Sequence, residues 1–306
     1  MIDFRHETFY RLCQLKSYTK TAEYLHLTQP AVSQHIRYLE KLYGGALFEY
    51  NGRKLSLTQR GERLYRYVQV LRADTKKIGE ELQKVHTEHP SVFFGATLTI
   101  GEYVMPEVLH QILQEHPHYH IGMVVENTQK LLQELSDGTI DFALLEGYFD
   151  QSRYGAKLLS YEKFIPVCSP ASPFAGKTVS FDAITSRRLI LREKGSGTRE
   201  ILEQALKAHN YSLDSFEQVC EIGNMNAIKE LVGRDDGISF MYLQAAAREL
   251  EEGKLAEFQI EGFSAGHEFN FVFLANSVYE EQYLGWFDMI SQAYQMYRPR
   301  LHKADS

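Results

Sequence analysis

The sequence predicts an α/β fold in which a small, mainly helical head is joined by one long helix to a larger body of alternating strands and helices. Three observations lead there. The 306 residues are enough for two or three units that each bury a core. Charge divides unevenly: residues 1–60 hold nine Lys/Arg against five Asp/Glu, a balance of +4, whereas the remainder holds 24 against 35, a balance of −11. Beyond about residue 91, short apolar runs alternate with amphipathic segments, the pattern of βαβ units and a parallel sheet covered on both faces.

Composition narrows the classes further. With 44% hydrophobic and 24% charged residues, the chain is neither disordered nor fibrous. No run of eighteen apolar residues occurs, and "MIDFRHETFYRL" carries charges where a signal peptide would be apolar, so a cytoplasmic protein with no membrane partner is expected. Cys13, Cys168 and Cys220 are far apart and form no CxxC pair; neither a disulfide framework nor a thiolate zinc site is expected.

In the head, Phe9, Leu12 and Cys13 recur at helical spacing. "SYTKTAEYLH" supplies a second short helix with Ser17 or Thr19 as its cap, and Ala22 is small enough for a close helix crossing. The third helix begins at Thr28, an N-cap, with Pro30 in the first turn, where a missing N–H costs no intrahelical bond. At 100° per residue, Val32, Ile36 and Leu39 share one arc, and Gln29, Pro30, Ser33, Gln34 and Arg37 the opposite one. "LFEYNGRKLSLT" then reads as a hairpin turning at Asn51-Gly52, with Arg53 and Lys54 at its tip.

From Gln59 to about His86 there is no proline, and Leu64, Leu71, Ile78 and Val85 recur every seven residues, with Val68 and Leu82 widening the stripe. This predicts a helix roughly 40 Å long with a coiled-coil seam for self-association. Tyr67, Asp74 and Glu81 at the other seam position leave open an amphipathic helix lying on its own domain. "HTEHPS", residues 86–91, reads as a linker.

The body follows as strand "VFFGA", helix "MPEVLHQILQEH", strand "YHIGMVVE", helix "TQKLLQELSDG" and strand "IDFALLEG". A second set runs through "KFIPVCSP", "RRLILRE", "TREILEQALKAH", "EQVCEI", "NAIKELVGRDDG" and "ISFMY". "FNFVFLAN" and "EQYLGWFDMISQAYQMY" predict a return to the first sheet for a last strand and helix.

"SYTKTAEYLHLTQPAVSQHIRYLEKLYGGALFEYNGRKLSLTQRGE" closely resembles the winged helix-turn-helix head of LysR-type bacterial transcriptional regulators. The order of head, long helix and a body containing "FGATLTIGEYVMP", "LREKGSGTRE" and "EIGNMNAIKELVGRDDGISF" extends the resemblance to the whole chain. "LREKGSGTRE" is similar to the branch that regulates sulfur assimilation and carbon fixation. Tyr50 departs from the family pattern, which has Arg after "LFE". The resemblance implies a DNA-binding domain at 1–58, a linker and dimerisation helix at 59–88, and a two-lobed effector domain of periplasmic-binding-protein type at 89–306. Lobe I would hold about 91–162 and 268–306, and lobe II about 163–267. It further implies a homotetramer, with RNA polymerase as a candidate partner.

For such a head the partner is double-stranded DNA. Near a helix N-terminus in the major groove, Gln29 and Gln34 suit adenine and Arg37 guanine, and Pro30 and Ala31 suit a thymine methyl. Ser33 would bond base or phosphate, and Arg53 and Lys54 would meet flanking phosphates or the minor groove. Capping leaves Thr28 beside the same groove.

For the body, the ligand of an α/β domain sits at strand C-termini, where helix N-termini point free N–H groups. Three loops qualify: Thr97, Leu98 and Thr99; Ser196, Gly197, Thr198 and Arg199; and Asn224 with Asn226. By resemblance they face one another across a cleft with Glu146 on its rim. The expected ligand is a small anionic metabolite, although Ser, Thr and Asn also serve as ordinary caps at such turns. Arg199 is as easily a carboxylate clamp as a surface charge. The P-loop pattern GxxxxGK[ST], a nucleophile elbow and paired catalytic carboxylates are all missing, so neither an enzyme nor a nucleotide cofactor is expected. His110, His116, His118 and His120 crowd a helix-to-strand turn interrupted by Pro117, and no metal is expected there. A solute-binding protein and a small-molecule enzyme with a winged appendage are the competing classes.

Overall fold

A computed structural model of the chain describes residues 3–83, 90–151 and 153–301, with side chains to 296. The chain divides into two compact units. The first comprises Met1–Thr87 with the short segments Ser136–Thr139 and Leu274–Glu280; the second holds the remainder.

The first unit opens with α1 (Phe4–Leu15), started by the Asp3 carboxylate accepting the Arg5 N–H at 2.8 Å. It ends at Lys16, whose φ of 50° turns the chain. In α2 (Tyr18–Tyr24) Ser17, and not Thr19, is the cap, accepting from Lys20 N–H at 3.3 Å. Next come α3 (Gln29–Leu42), the antiparallel pair β1 (Phe48–Asn51) and β2 (Lys54–Leu57), and the long α4 (Gln59–Gln83). Phe9, Leu12, Ile36, Leu39, Leu47 and Val68 form one core, against which Leu64 and Tyr65 pack.

Two expectations change here. Asn51 pairs with Lys54, so the hairpin loop is Gly52-Arg53 and only Gly52 takes a positive φ, 65°. That is the demand of a type II′ turn, one residue along from the expected Asn51-Gly52. The regular seven-residue stripe on α4 is also divided. Leu64 is absorbed into the head's core, whereas Leu71, Ile78 and Leu82 are 53%, 43% and 76% exposed. Asp74 is buried, its carboxylate accepting from Ser277 Oγ at 2.6 Å and Val278 N–H at 3.1 Å. Val85 lies outside the described residues.

The second unit begins with β3 (Ser91–Ala96), α5 (Leu98–Tyr103), α6 (Met105–Glu115), β4 (His120–Val125), α7 (Thr128–Ser136) and β5 (Ala143–Glu146). A 15-residue strand, β6 (Tyr154–Cys168), leads into β7 (Thr178–Val179), α8 (Phe181–Thr185), β8 (Leu189–Leu191) and α9 (Gly197–Ala208). After β9 (Val219–Glu221), α10 (Met225–Gly233), β10 (Ser239–Tyr242) and α11 (Leu243–Glu251), the chain forms β11 (Ala256–Glu257) and β12 (Gln259–Ile260). It closes with β13 (Ala265–Leu274) and α12 (Glu280–Leu301).

The sheet order is β10-β6-β13-β5-β3-β4, with β11 on β6. β3 lies parallel to β4 and β5, and the last strand, β13, returns antiparallel to β5 as expected. The expectation of a parallel sheet holds for β3, β4 and β5 only, because β13 joins β5 and β10 joins β6 in the antiparallel sense. β6 takes β10 antiparallel along its second half, Tyr242 opposite Phe164 and Ser239 opposite Val167. Lobe I packs around Phe94, Phe142 and Phe271, with ring centroids 5.0 and 4.3 Å apart. Lobe II packs Ile165, Val167, Ile190, Ile228, Val232 and Met241 together, while β8 and β9 pair in parallel beside it. Among the described residues no helix is long and apolar enough to cross a membrane.

Candidate functional site

The head presents α3. Its start is fixed by Thr28, whose hydroxyl accepts the Ala31 N–H at 3.3 Å, with Pro30 in the first turn. Val32, Ile36 and Leu39 are buried, which anchors the helix by one stripe and leaves Gln29, Pro30, Gln34 and Arg37 exposed. Ala31 and Ser33 are half-buried between the two faces. Gln29 Nε2 donates to Ser33 Oγ at 3.2 Å, one helical turn on, so the two present a joined polar edge. Arg53 and Lys54 stand exposed at the hairpin tip, and Tyr50 is exposed on β1.

In the body the centre is Glu146, the last residue of β5. Far from a rim position, it is 1% exposed. Thr198 Oγ1 and Thr99 Oγ1 both donate to its Oε1, at 2.7 and 3.1 Å. Thr128 Oγ1 donates to its backbone oxygen at 3.0 Å. Oε2 has no partner. Burial pushes this carboxyl above the ordinary carboxylate range, while the hydrogen bonds from Thr198 and Thr99, the Arg192 charge and a weaker bond from Thr97 pull the other way.

Around it are further buried atoms without partners: Arg192 Nη1 and Tyr242 Oη. Thr97 and Ser196 stand at the N-cap positions of α5 and α9, yet neither hydroxyl caps its helix. The N-cap side chains thus leave the first-turn N–H groups uncapped. The backbone closes tightly at this point. Gly147 has a φ of 91°, and a Cβ on it would lie 2.7 Å from Gly197 Cα. Only glycines let β5 and α9 approach this closely.

Not every expected residue joins the site. Arg199 is committed elsewhere: Nε donates to Glu203 at 2.7 Å, and Nη1 to Glu221 and to the Arg192 carbonyl at 3.3 Å. Asn224 is an ordinary cap, accepting the Ala227 N–H at 2.9 Å. Asn226 Oδ1 accepts from Tyr103 Oη at 2.8 Å. Leu98 is a half-buried first residue of α5.

Arg192 and Tyr242 were not expected. Arg192 directly follows the last residue of β8, and Tyr242 ends β10, and strand C-termini are where α/β ligands gather. The charged residue closing "LILR" was the available signal. The histidine run is divided, with His110 on α6, His120 opening β4 and His116 stacked on Tyr119 at 4.6 Å. Among the described residues, no group of three His, Cys, Asp or Glu side chains is placed to hold a metal.

Residues 5–62 match the family described as bacterial regulatory helix-turn-helix protein, lysR family, and residues 86–295 match the LysR substrate binding domain. The chain is 30% identical over 251 residues to the HTH-type transcriptional regulator YeiE of Escherichia coli, covering 82% of this chain and 84% of that one. It is 29% identical over 258 residues to the transcriptional activator CmpR of Synechocystis, covering 84% of each. Among solved structures, a cysteine mutant of Corynebacterium glutamicum OxyR is similar with a TM-score of 0.63 at 21% identity, over 99% of this chain and 94% of that one. That likeness is one of fold. The protein belongs to the LysR family of bacterial transcriptional regulators, with a helix-turn-helix head that binds DNA and a body that binds an effector.

Proposed function

We propose that the body's effector is a small oxyanion or carboxylate held at the C-terminal ends of β5 and β8. One observation carries this reading: Glu146, Arg192 and Tyr242 each bury a polar atom with no protein partner, and buried polar groups are rarely left unsatisfied. The uncapped start of α9 adds partial positive charge, and Arg192, its charge shared with Glu193, adds the open Nη1 donor. A carboxylate in the same place looks like an obstacle to an anion. It stops being one when Glu146 holds its proton, because a neutral carboxyl offers Oε2–H as a donor.

A pH profile tests this. Since burial raises the Glu146 pKa, the folded protein keeps a proton that the unfolded chain has lost. The cost of that burial to stability therefore grows as pH rises from the ordinary carboxylate range to the raised value. As pH then rises through that raised value, an anion at the site meets increasing negative charge. Stabilisation of the full chain by sulfate, read as a melting shift, should fall as pH rises, and Glu146→Gln should flatten the profile. An unchanged slope in that variant would refute the role given to Glu146.

We assign DNA reading to Gln29, Ser33, Gln34 and Arg37, with Pro30 and Ala31 beside them, Thr28 fixing the helix start, and Arg53 and Lys54 meeting phosphates. Arg37→Ala is expected to weaken specific binding by about 1–3 kcal/mol, whereas Lys54→Ala weakens all sequences alike and lowers the salt dependence by about one phosphate. Gel shifts on specific and random duplexes check both; no loss in either variant would sink the assignment. The functional division we propose is 1–58 for DNA, 59–88 for self-association and 89–306 for the effector, in a bacterial cytoplasm with RNA polymerase as the target of regulation. The bare stripe on α4 supports a dimer, and pairs of dimers would give the tetramer.

A further inference from the structure

A second group of unpartnered polar atoms lies along β6, outside the residues assigned above apart from Tyr242. Side chains alternate along a strand, so Ser160, Glu162 and Phe164 share one face. Tyr242 faces Phe164 across the antiparallel pair and packs edge-on to it at 5.3 Å. Glu162 is buried, receiving Tyr294 Oη at 2.6 Å on Oε1 and Gln244 Nε2 on Oε2. That second bond settles which way the Gln244 amide points, because a carboxylate oxygen accepts from nitrogen and not from a carbonyl. Gln244 Oε1 is thus an acceptor, and it is buried without a partner. Ser160 Oγ is buried and unpartnered too, as is Tyr242 Oη.

Tyr242 connects this group to Glu146. Its phenol is pushed well above the ordinary range by burial first, then by the charges of Glu146 and Glu162. The phenol therefore stays protonated, and both carboxyls are near enough to act on it. Tyr242 opposite Phe164 and Gln244 bonded to Glu162 stand side by side, each with open hydrogen-bonding capacity, and the acceptor-only oxygen of Gln244 calls for a ligand that brings a donor. An anion alone has none to give.

We propose that Tyr242 and Gln244 form a second subsite that takes a hydroxyl or amino group of the effector, so that the effector is a small hydroxylated or aminated anion. This rests on the anion reading of Glu146 and Arg192. Sites built to bond a substrate hydroxyl reject the analogue lacking it far more strongly than apolar pockets reject an added group.

The test uses the full chain and matched ligands: glycolate against acetate, lactate against propionate, glycerol phosphate against propyl phosphate, and sulfate alone, each titrated calorimetrically. At least one hydroxylated member should bind ten times or more tightly than its partner. Gln244→Met should erase that preference while sulfate still raises the melting temperature. Equal binding within every pair, or a preference that survives in Gln244→Met, overturns the second subsite while sulfate binding upholds the first. If no anion binds, and Arg192→Gln changes nothing, the anion reading falls and this one with it.

Discussion

Replacing Arg192 by glutamine is expected to weaken binding of a small oxyanion by about 2–5 kcal/mol, roughly thirtyfold to a few thousandfold, the range for losing one member of a buried charge pair. Arg192 is nearly fully buried directly after β8. Glu193 holds Nε and Nη2 at 2.8 and 3.0 Å, which orients the guanidinium and leaves Nη1 as its open donor. The effect is large because the charge acts where little water screens it. Arg192→Lys should recover only part of the loss, since a point charge keeps the attraction but not the planar fork. Titration of sulfate into both variants, with the unliganded melting temperature as a control for folding, decides the matter. Equal affinity in wild type and Arg192→Gln would remove Arg192 from the site.

The double change Leu71→Glu with Ile78→Glu is expected to dissociate the dimer proposed to form through α4. Tyr67, Leu71, Ile78 and Leu82 lie within a narrow arc of α4 at 100° per residue, and all four are largely exposed. Burying a leucine-sized side chain contributes roughly 1.5–3 kcal/mol, and a twofold seam counts each change twice. Losing two such residues per chain, and adding four like charges across the seam, should raise the dimer dissociation constant by at least about a thousandfold. Sedimentation of the variant would show monomer at concentrations where the wild type is dimeric, and binding to a palindromic duplex would weaken in step. A variant that sediments like wild type would place self-association elsewhere.

Much of the head was legible because its determinants are local. Thr28 and Pro30 announce a helix start within three residues, and the 3.6-residue period of Val32, Ile36 and Leu39 tells which side is buried and so which side is free. The exception was the hairpin: Asn51-Gly52 is a strong turn signal, but strand register chose the loop, and Asn51 pairs with Lys54. On α4 the heptad was real in sequence, yet whether each residue meets the head or solvent depends on where the head's core ends. Leu64 lies within that core and Leu71 beyond it.

The body shows the division more sharply. Alternating strands and helices, the return of the last strand to the first sheet, and the loops bearing Thr97, Thr99, Ser196 and Thr198 all follow from sequence, since periodicity and turn chemistry are properties of short segments. What only the tertiary structure decided is which of those polar groups are already satisfied. Asn224 and Arg199 have partners within their own surroundings. Glu146 and Arg192 do not have enough of them. The reason is physical: a hydrogen bond is made across space by atoms from distant parts of the chain, so an unfilled one becomes visible only when every neighbour has been placed.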